Sequence, residues 1–157
     1  ALCLAAGYVL DSADGQVARV TERGSPAGEW LDHVVDAIRT PAIHLAVLAG
    51  LALHVGVPPV VMAVPLLYCL LSAGHFMSQI LAEQLVRVHG SHARTDSESS
   101  PLHSLVRLPM DAGLLCWVFA LWGNTPAFLV AYGGLFLLNL IAGAMSMRRK
   151  YRTLVSL

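Results

Sequence analysis

Residues 11–36 read DSADGQVARVTERGSPAGEWLDHVVD, and this stretch decides how the chain is understood. It holds four aspartates, Asp11, Asp14, Asp32 and Asp36, between long apolar runs. Its pattern is D-x-x-D-G-x-x-A-R, eight further residues, then G-x-x-x-D-x-x-x-D. On a helix Asp11 and Asp14 are i,i+3 neighbours and share a face. Gly28, Asp32 and Asp36 step by four and form a second stripe, with the glycine one turn before the acids. Four carboxylates beside hydrocarbon repel one another and lose solvation, so a counter-charge is required. Oxygen-only ligands suit hard cations such as Mg²⁺ or Mn²⁺. Two divalent ions balance four carboxylates, the electrostatic logic of a two-metal phosphoryl-transfer site.

Composition supplies the setting. The chain is 56% hydrophobic and 13% charged, with mean hydropathy +0.64, too apolar for a soluble domain of 157 residues. Leu, Ala and Val dominate, so the runs are expected to be spanning helices of about 20 residues each. Spans are predicted over about Pro41 to Val57 with the turn before it, Pro59 to Leu85, Pro109 to Gly123 (short at its core) and Pro126 to Met147. The apolar start, residues 1–10, covers about 15 Å as helix, half a bilayer core, and is read as the second half of a span.

The signature resembles that of the CDP-alcohol phosphotransferase family, integral membrane enzymes of phospholipid synthesis. All eight fixed positions agree: Asp11, Asp14, Gly15, Ala18, Arg19, Gly28, Asp32 and Asp36. Such agreement arises by chance on the order of 10⁻¹⁰ per start site. The resemblance implies an all-α, polytopic transmembrane helical bundle of six spans, the first and part of the second absent here. The whole chain, 1–157, is then one transmembrane domain, with a cytoplasmic loop at about 86–107 and a cytoplasmic tail at 148–157. It implies transfer of a phosphatidyl group from a CDP-alcohol such as CDP-diacylglycerol to a polar alcohol, with release of CMP. Homodimers are typical of the family, and nothing in the chain calls for nucleic acid.

Asp11, Asp14 and Asp32 are the expected ligands of two Mg²⁺ or Mn²⁺ ions, with Asp36 completing the second site. The resemblance further implies that Asp36 is the catalytic general base on the acceptor hydroxyl. Gly15, Ala18 and Gly28 are small, letting the nucleotide lie against the helices. Arg19 is expected to neutralise the diphosphate. Ser25 either reaches the nucleotide phosphates or caps a helix. Arg107 and Arg39 are candidates for the acceptor's phosphate, since guanidinium pairs well with phosphate.

All ten basic residues fall on one side of the predicted spans, from Arg19 and Arg23 to Arg148, Arg149, Lys150 and Arg152. The positive-inside rule makes that side cytoplasmic and puts the aspartates at the cytoplasmic face of a membrane, expected to be a bacterial cell membrane. Arg148 to Arg152 are read first as a topology anchor. His44, His54 and His75 are expected to pack or to hydrogen-bond between helices, and His33 to point away from the acids. Cys3, Cys69 and Cys116 read as small buried hydrophobes, and Gly143 as a point of close helix approach. Glycerol 3-phosphate is the first acceptor expected, with inositol phosphate the runner-up if the basic residues form a pocket. Two other classes also bury acids between helices, intramembrane prenyltransferases and ion-coupled transporters. Neither calls for the Gly15, Ala18, Arg19 and Gly28 framework.

Overall fold

In a computed structural model of the chain, residues 2–20, 25–89 and 112–156 are described, and among them every regular element is helical. Five α-helices follow one another: α1 (Leu2–Val20), α2 (Pro26–Gly50), α3 (Pro59–His89), α4 (Ala112–Val118) and α5 (Thr125–Val155). A π-helical turn, Leu51–Val55, prolongs α2, and a 3₁₀ turn, Phe119–Leu121, prolongs α4. The protein is an all-α polytopic membrane bundle.

Among the described residues, three stretches are long and apolar enough to cross a membrane: Pro26–Val55, Pro59–His89 and Thr125–Val155. Thirty residues of helix extend about 45 Å, against roughly 30 Å of hydrocarbon. Each therefore has turns to spare for the polar interface. Exposed Leu, Val and Ile side chains along all three are the surface lipid covers.

Local chemistry sets the boundaries. Ser25 begins α2 in an extended conformation, its Oγ accepting the Gly28 N–H at 3.1 Å, with Pro26 in the first turn. Asn124 does the same for α5, its Oδ1 accepting from the Ala127 N–H at 3.2 Å. The π turn ends at Gly56, whose φ of +66° is the left-handed conformation that glycine adopts without steric cost. Pro58 and Pro59 then forbid continuation.

One expected span differs in extent. The span expected over Pro41 to Val57 with the turn before it begins earlier, for α2 starts at Pro26 and runs through Pro41 without a break. A mid-helix proline removes one backbone bond, and in a bundle neighbouring groups re-satisfy what it frees. The signature's second half therefore shares one rigid helix with the span. Of the third expected span, Pro109 to Gly123, the described part is α4 and its 3₁₀ turn, both helical. Its beginning, with Pro109 and Asp111, lies outside the described residues.

The core gathers Val47 and Leu51 of α2 and its π turn, Tyr68 of α3, Leu115 and Val118 of α4, and Phe128, Tyr132 and Leu135 of α5. Inside it, His44 is 2% exposed; its Nδ1 lies 2.7 Å from the Tyr132 hydroxyl, and its ring stacks on Tyr68 at 3.9 Å. This bond joins α2 to α5 across the bundle, the interhelical role expected of His44. Gly143 is buried on α5, as its small size suggested. Gly50 also has a steric reason: a Cβ there would stand 2.7 Å from the Trp122 ring.

Candidate functional site

Both halves of the signature lie on helices. Asp11, Asp14, Gly15, Ala18 and Arg19 belong to α1; their side chains lie outside the described ones. Gly28, Asp32, Asp36 and Arg39 occupy the first half of α2. Arg107 lies outside the described residues, as does most of the 86–107 loop.

The connection between α1 and α2 is short. Five residues, 21–25, separate Val20 from Pro26. Gly7 and Arg39 each stand thirteen residues from that connection, and both line one cavity of about 110 Å³ with Ile43, Leu115 and Phe119. Counted from the same connection, Asp14 and Asp32 are each six residues in, while Asp11 and Asp36 are nine and ten. At 1.5 Å per residue the paired positions differ in height by no more than about 1.5 Å. By this count the four acid positions fall at two levels along α1 and α2, while α1 packs chiefly on α4.

On α2 the described side chains are arranged for polar work. Gly28 is exposed, and a Cβ there would meet only the Ser25 Oγ, at 3.2 Å. Among the described residues no atom of another helix comes within 4 Å of that position. Asp32 is well exposed and Asp36 is half-buried, one turn apart. Arg39 donates from its guanidinium to Asp36 Oδ1 at 2.5 Å. Ser25 serves as helix cap through its oxygen, which is its structural role; its hydroxyl hydrogen is not used in that bond.

His33 corrects an expectation. It was read as pointing away from the acids, yet its Nδ1 lies 3.7 Å from Asp32 Oδ2 and its Nε2 3.9 Å from Glu29 Oε1. Phe76 of α3 meets the His33 ring edge-on, with ring centroids 6.4 Å apart. Glu29 also meets Arg87 near the end of α3 at 3.4 Å. That contact puts the start of α2 and the end of α3 at the same end of the bundle.

A larger cavity, about 1020 Å³, opens between α2, α3 and α5. Arg39 stands on its α2 wall, and Arg148, Arg149, Lys150 and Arg152 near the end of α5 line it as well. The cavity reaches inward past Asn139 and His75 to His44 and Tyr68. The cations at 148–152, read from sequence as an anchor, are therefore also cavity wall. A signal for this existed: Asn139, Ala142, Ser146 and Arg149 step by three, four and three along α5, a small and polar stripe on an apolar helix.

Carboxylate oxygens at Asp32 and Asp36, accessible and one turn apart, are the donor type a hard cation takes. Among the described side chains, which include two of the four acids, no group of three His, Cys, Asp or Glu comes together.

A search of curated proteins and a search of solved structures each returned no match. A scan against protein-family models matched CDP-alcohol phosphatidyltransferase over residues 1–146. That range takes in α1, α2, α3, α4 and nearly all of the apolar part of α5. With more than nine-tenths of its length inside the match, the chain belongs to the CDP-alcohol phosphatidyltransferase family.

Proposed function

We infer that the protein transfers a phosphatidyl group from CDP-diacylglycerol to a polar alcohol that itself carries a phosphate, using Mg²⁺ or Mn²⁺ and releasing CMP. Membership of the family gives the reaction class, transfer from a CDP-alcohol to an alcohol. One observation supports the nature of the acceptor. Arg39 touches the signature through Asp36 and also lines the large basic cavity, so the cavity adjoins the signature. A cavity walled by Arg39, Arg148, Arg149, Lys150 and Arg152 suits a phosphate dianion, and it suits serine or another unphosphorylated alcohol poorly. Glycerol 3-phosphate and inositol phosphate both meet this requirement. The pocket formed by the basic residues is the circumstance that favours the second.

The acceptor hydroxyl attacks the phosphorus on the lipid side of the diphosphate. A new P–O bond forms, the bridging P–O bond to CMP breaks, and the hydroxyl proton passes to a carboxylate, for which Asp36 is proposed. Arg39 holds that carboxylate from one side and itself stands on the cavity wall. Arg19 neutralises the diphosphate, and the small residues Gly15, Ala18 and Gly28 leave room for the nucleotide. The two metal ions, held by Asp11, Asp14, Asp32 and Asp36, would offset the charge that grows on the transferred and departing phosphates.

The test is release of CMP from CDP-diacylglycerol by the purified protein, with a panel of acceptors. Turnover with glycerol 3-phosphate or inositol phosphate, abolished by EDTA and restored by Mg²⁺, is expected. Turnover with serine alone would overturn the phosphate-bearing acceptor, and full turnover in metal-free protein would overturn the metal site.

A further inference from the structure

The two long walls of the large cavity differ in chemistry. The α5 wall and Arg39 are cationic, whereas the α3 wall is neutral or acidic, with Ser72, His75, Gln79 and Glu83 at helical spacing. At the same height, Met77, Leu81, Leu85 and Val88 form an exposed apolar stripe on another face of α3. This part of α3 therefore still lies against hydrocarbon, where polar side chains are costly and are retained for function. Gln79 donates from Nε2 to Glu83 Oε1 at 3.3 Å, giving a paired amide and carboxylate one turn apart. Deeper in, the Nε2 of His75 is buried and has no hydrogen-bond partner among the described residues. A wall that needed only to hold phosphate would not carry a carboxylate facing four cations.

We propose that His75, Gln79 and Glu83 read the hydroxyl groups of the acceptor, and so set its identity as a phosphorylated polyol bearing several free hydroxyls. The proposal rests on the reading of this cavity as the acceptor site. The acceptor lies across the cavity, its phosphate against Arg39 and the end of α5, its hydroxyls against α3. A carboxylate accepts from two neighbouring hydroxyls at once, and the Gln79 amide both donates and accepts, a set suited to adjacent hydroxyls on a ring. Glycerol 3-phosphate, with two hydroxyls, would leave much of this wall without partners.

The experiment measures binding of inorganic phosphate, glycerol 3-phosphate and inositol 1-phosphate to the full chain in lipid nanodiscs, by calorimetry. It compares wild type with Gln79→Leu, Glu83→Gln and His75→Phe. Wild type is expected to hold inositol 1-phosphate at least about tenfold more tightly than inorganic phosphate. Gln79→Leu and Glu83→Gln should each remove most of that advantage while leaving inorganic phosphate binding unchanged, which also certifies their folding. His75→Phe should act in the same direction. In CMP-release assays the KM for inositol 1-phosphate should rise in these variants, with the KM for CDP-diacylglycerol unmoved. Equal affinity of wild type for inositol 1-phosphate and inorganic phosphate would overturn the proposal, as would variants that keep the full preference. Failure of wild type to bind even inorganic phosphate would instead overturn the acceptor-site reading beneath it.

Discussion

The Arg39–Asp36 pair is the residue-level feature on which the site turns. It joins the last acid of the signature to the basic cavity, so different substitutions should fail in different ways. Asp36→Asn is expected to lower turnover by orders of magnitude while nucleotide binding falls only as far as its share of the metal site requires. Arg19→Ala should instead weaken CDP-lipid binding, at a cost of about 1.5–3 kcal/mol, or roughly tenfold to over a hundredfold in affinity. Equilibrium binding of CDP-diacylglycerol, measured beside single-turnover rates, separates the two. If Asp36→Asn abolishes affinity and Arg19→Ala leaves it unchanged, these roles are wrong. The eight signature positions were legible in the sequence because fixed spacing on a helix is itself chemical information. The direction in which His33 faces was not, because Phe76, which its ring meets edge-on, lies 43 residues further along the chain. The cations of α5 were legible as charges but not as wall, since a wall needs α3 opposite it.

Among the helices, boundaries followed local chemistry and extents did not. Ser25-Pro26 and Asn124 with Pro126 announce helix starts in any context, and the structure uses both as caps. Ser25→Ala is expected to cost about 1 kcal/mol of stability, with activity in folded protein reduced only modestly. Loss of all CDP-lipid binding in that variant would assign Ser25 to the nucleotide instead. The start of the span at Pro41 gave the opposite lesson: expected about one turn before that proline, it lies at Pro26, and α2 passes through Pro41 while packed against α3. Gly50 was silent in the sequence and matters in three dimensions. Gly50→Ala should destabilise the bundle by about 1–3 kcal/mol, seen as a lowered Tm, because its methyl group meets the Trp122 ring. Trp122→Ala in the same background should recover part of that loss if the contact is its cause.

For the molecule as a whole, the Glu29–Arg87 contact, the Arg39–Asp36 pair and the basic end of α5 gather the polar chemistry of α2, α3 and α5 at one end. Glu29–Arg87 is exposed and contributes little energy, about 0–1 kcal/mol, so it reports position rather than holding the fold. The positive-inside rule proposes that end as the cytoplasmic one, and labelling tests the proposal. After Cys3, Cys69 and Cys116 are replaced, a cysteine at Glu98 should react with a membrane-impermeant maleimide from the cytoplasmic side. One at Gly123 should react from the opposite side. Reversed labelling would place the reaction on the far face of the membrane. Membrane class was legible from composition alone, because 56% hydrophobic residues leave no soluble alternative. The cavity was not, since it belongs to three helices and to none of them singly.

The π turn at Leu51–Val55 has a consequence for how long this chain needs to be. A π turn holds one residue more than an α turn would, and it sits between the helix that carries the acids and the glycine that closes the loop. It is the place in α2 where chain length is adjustable. Removing exposed Ala52 should let the backbone heal as an ordinary α turn, leaving residues 26–50 facing as they did. Removing a residue nearer the acids, such as exposed Ala42, would rotate Asp32 and Asp36 by about 100° relative to the rest of α2. The first deletion is expected to yield folded protein with CMP release within a few-fold of wild type, and the second to yield protein that releases none.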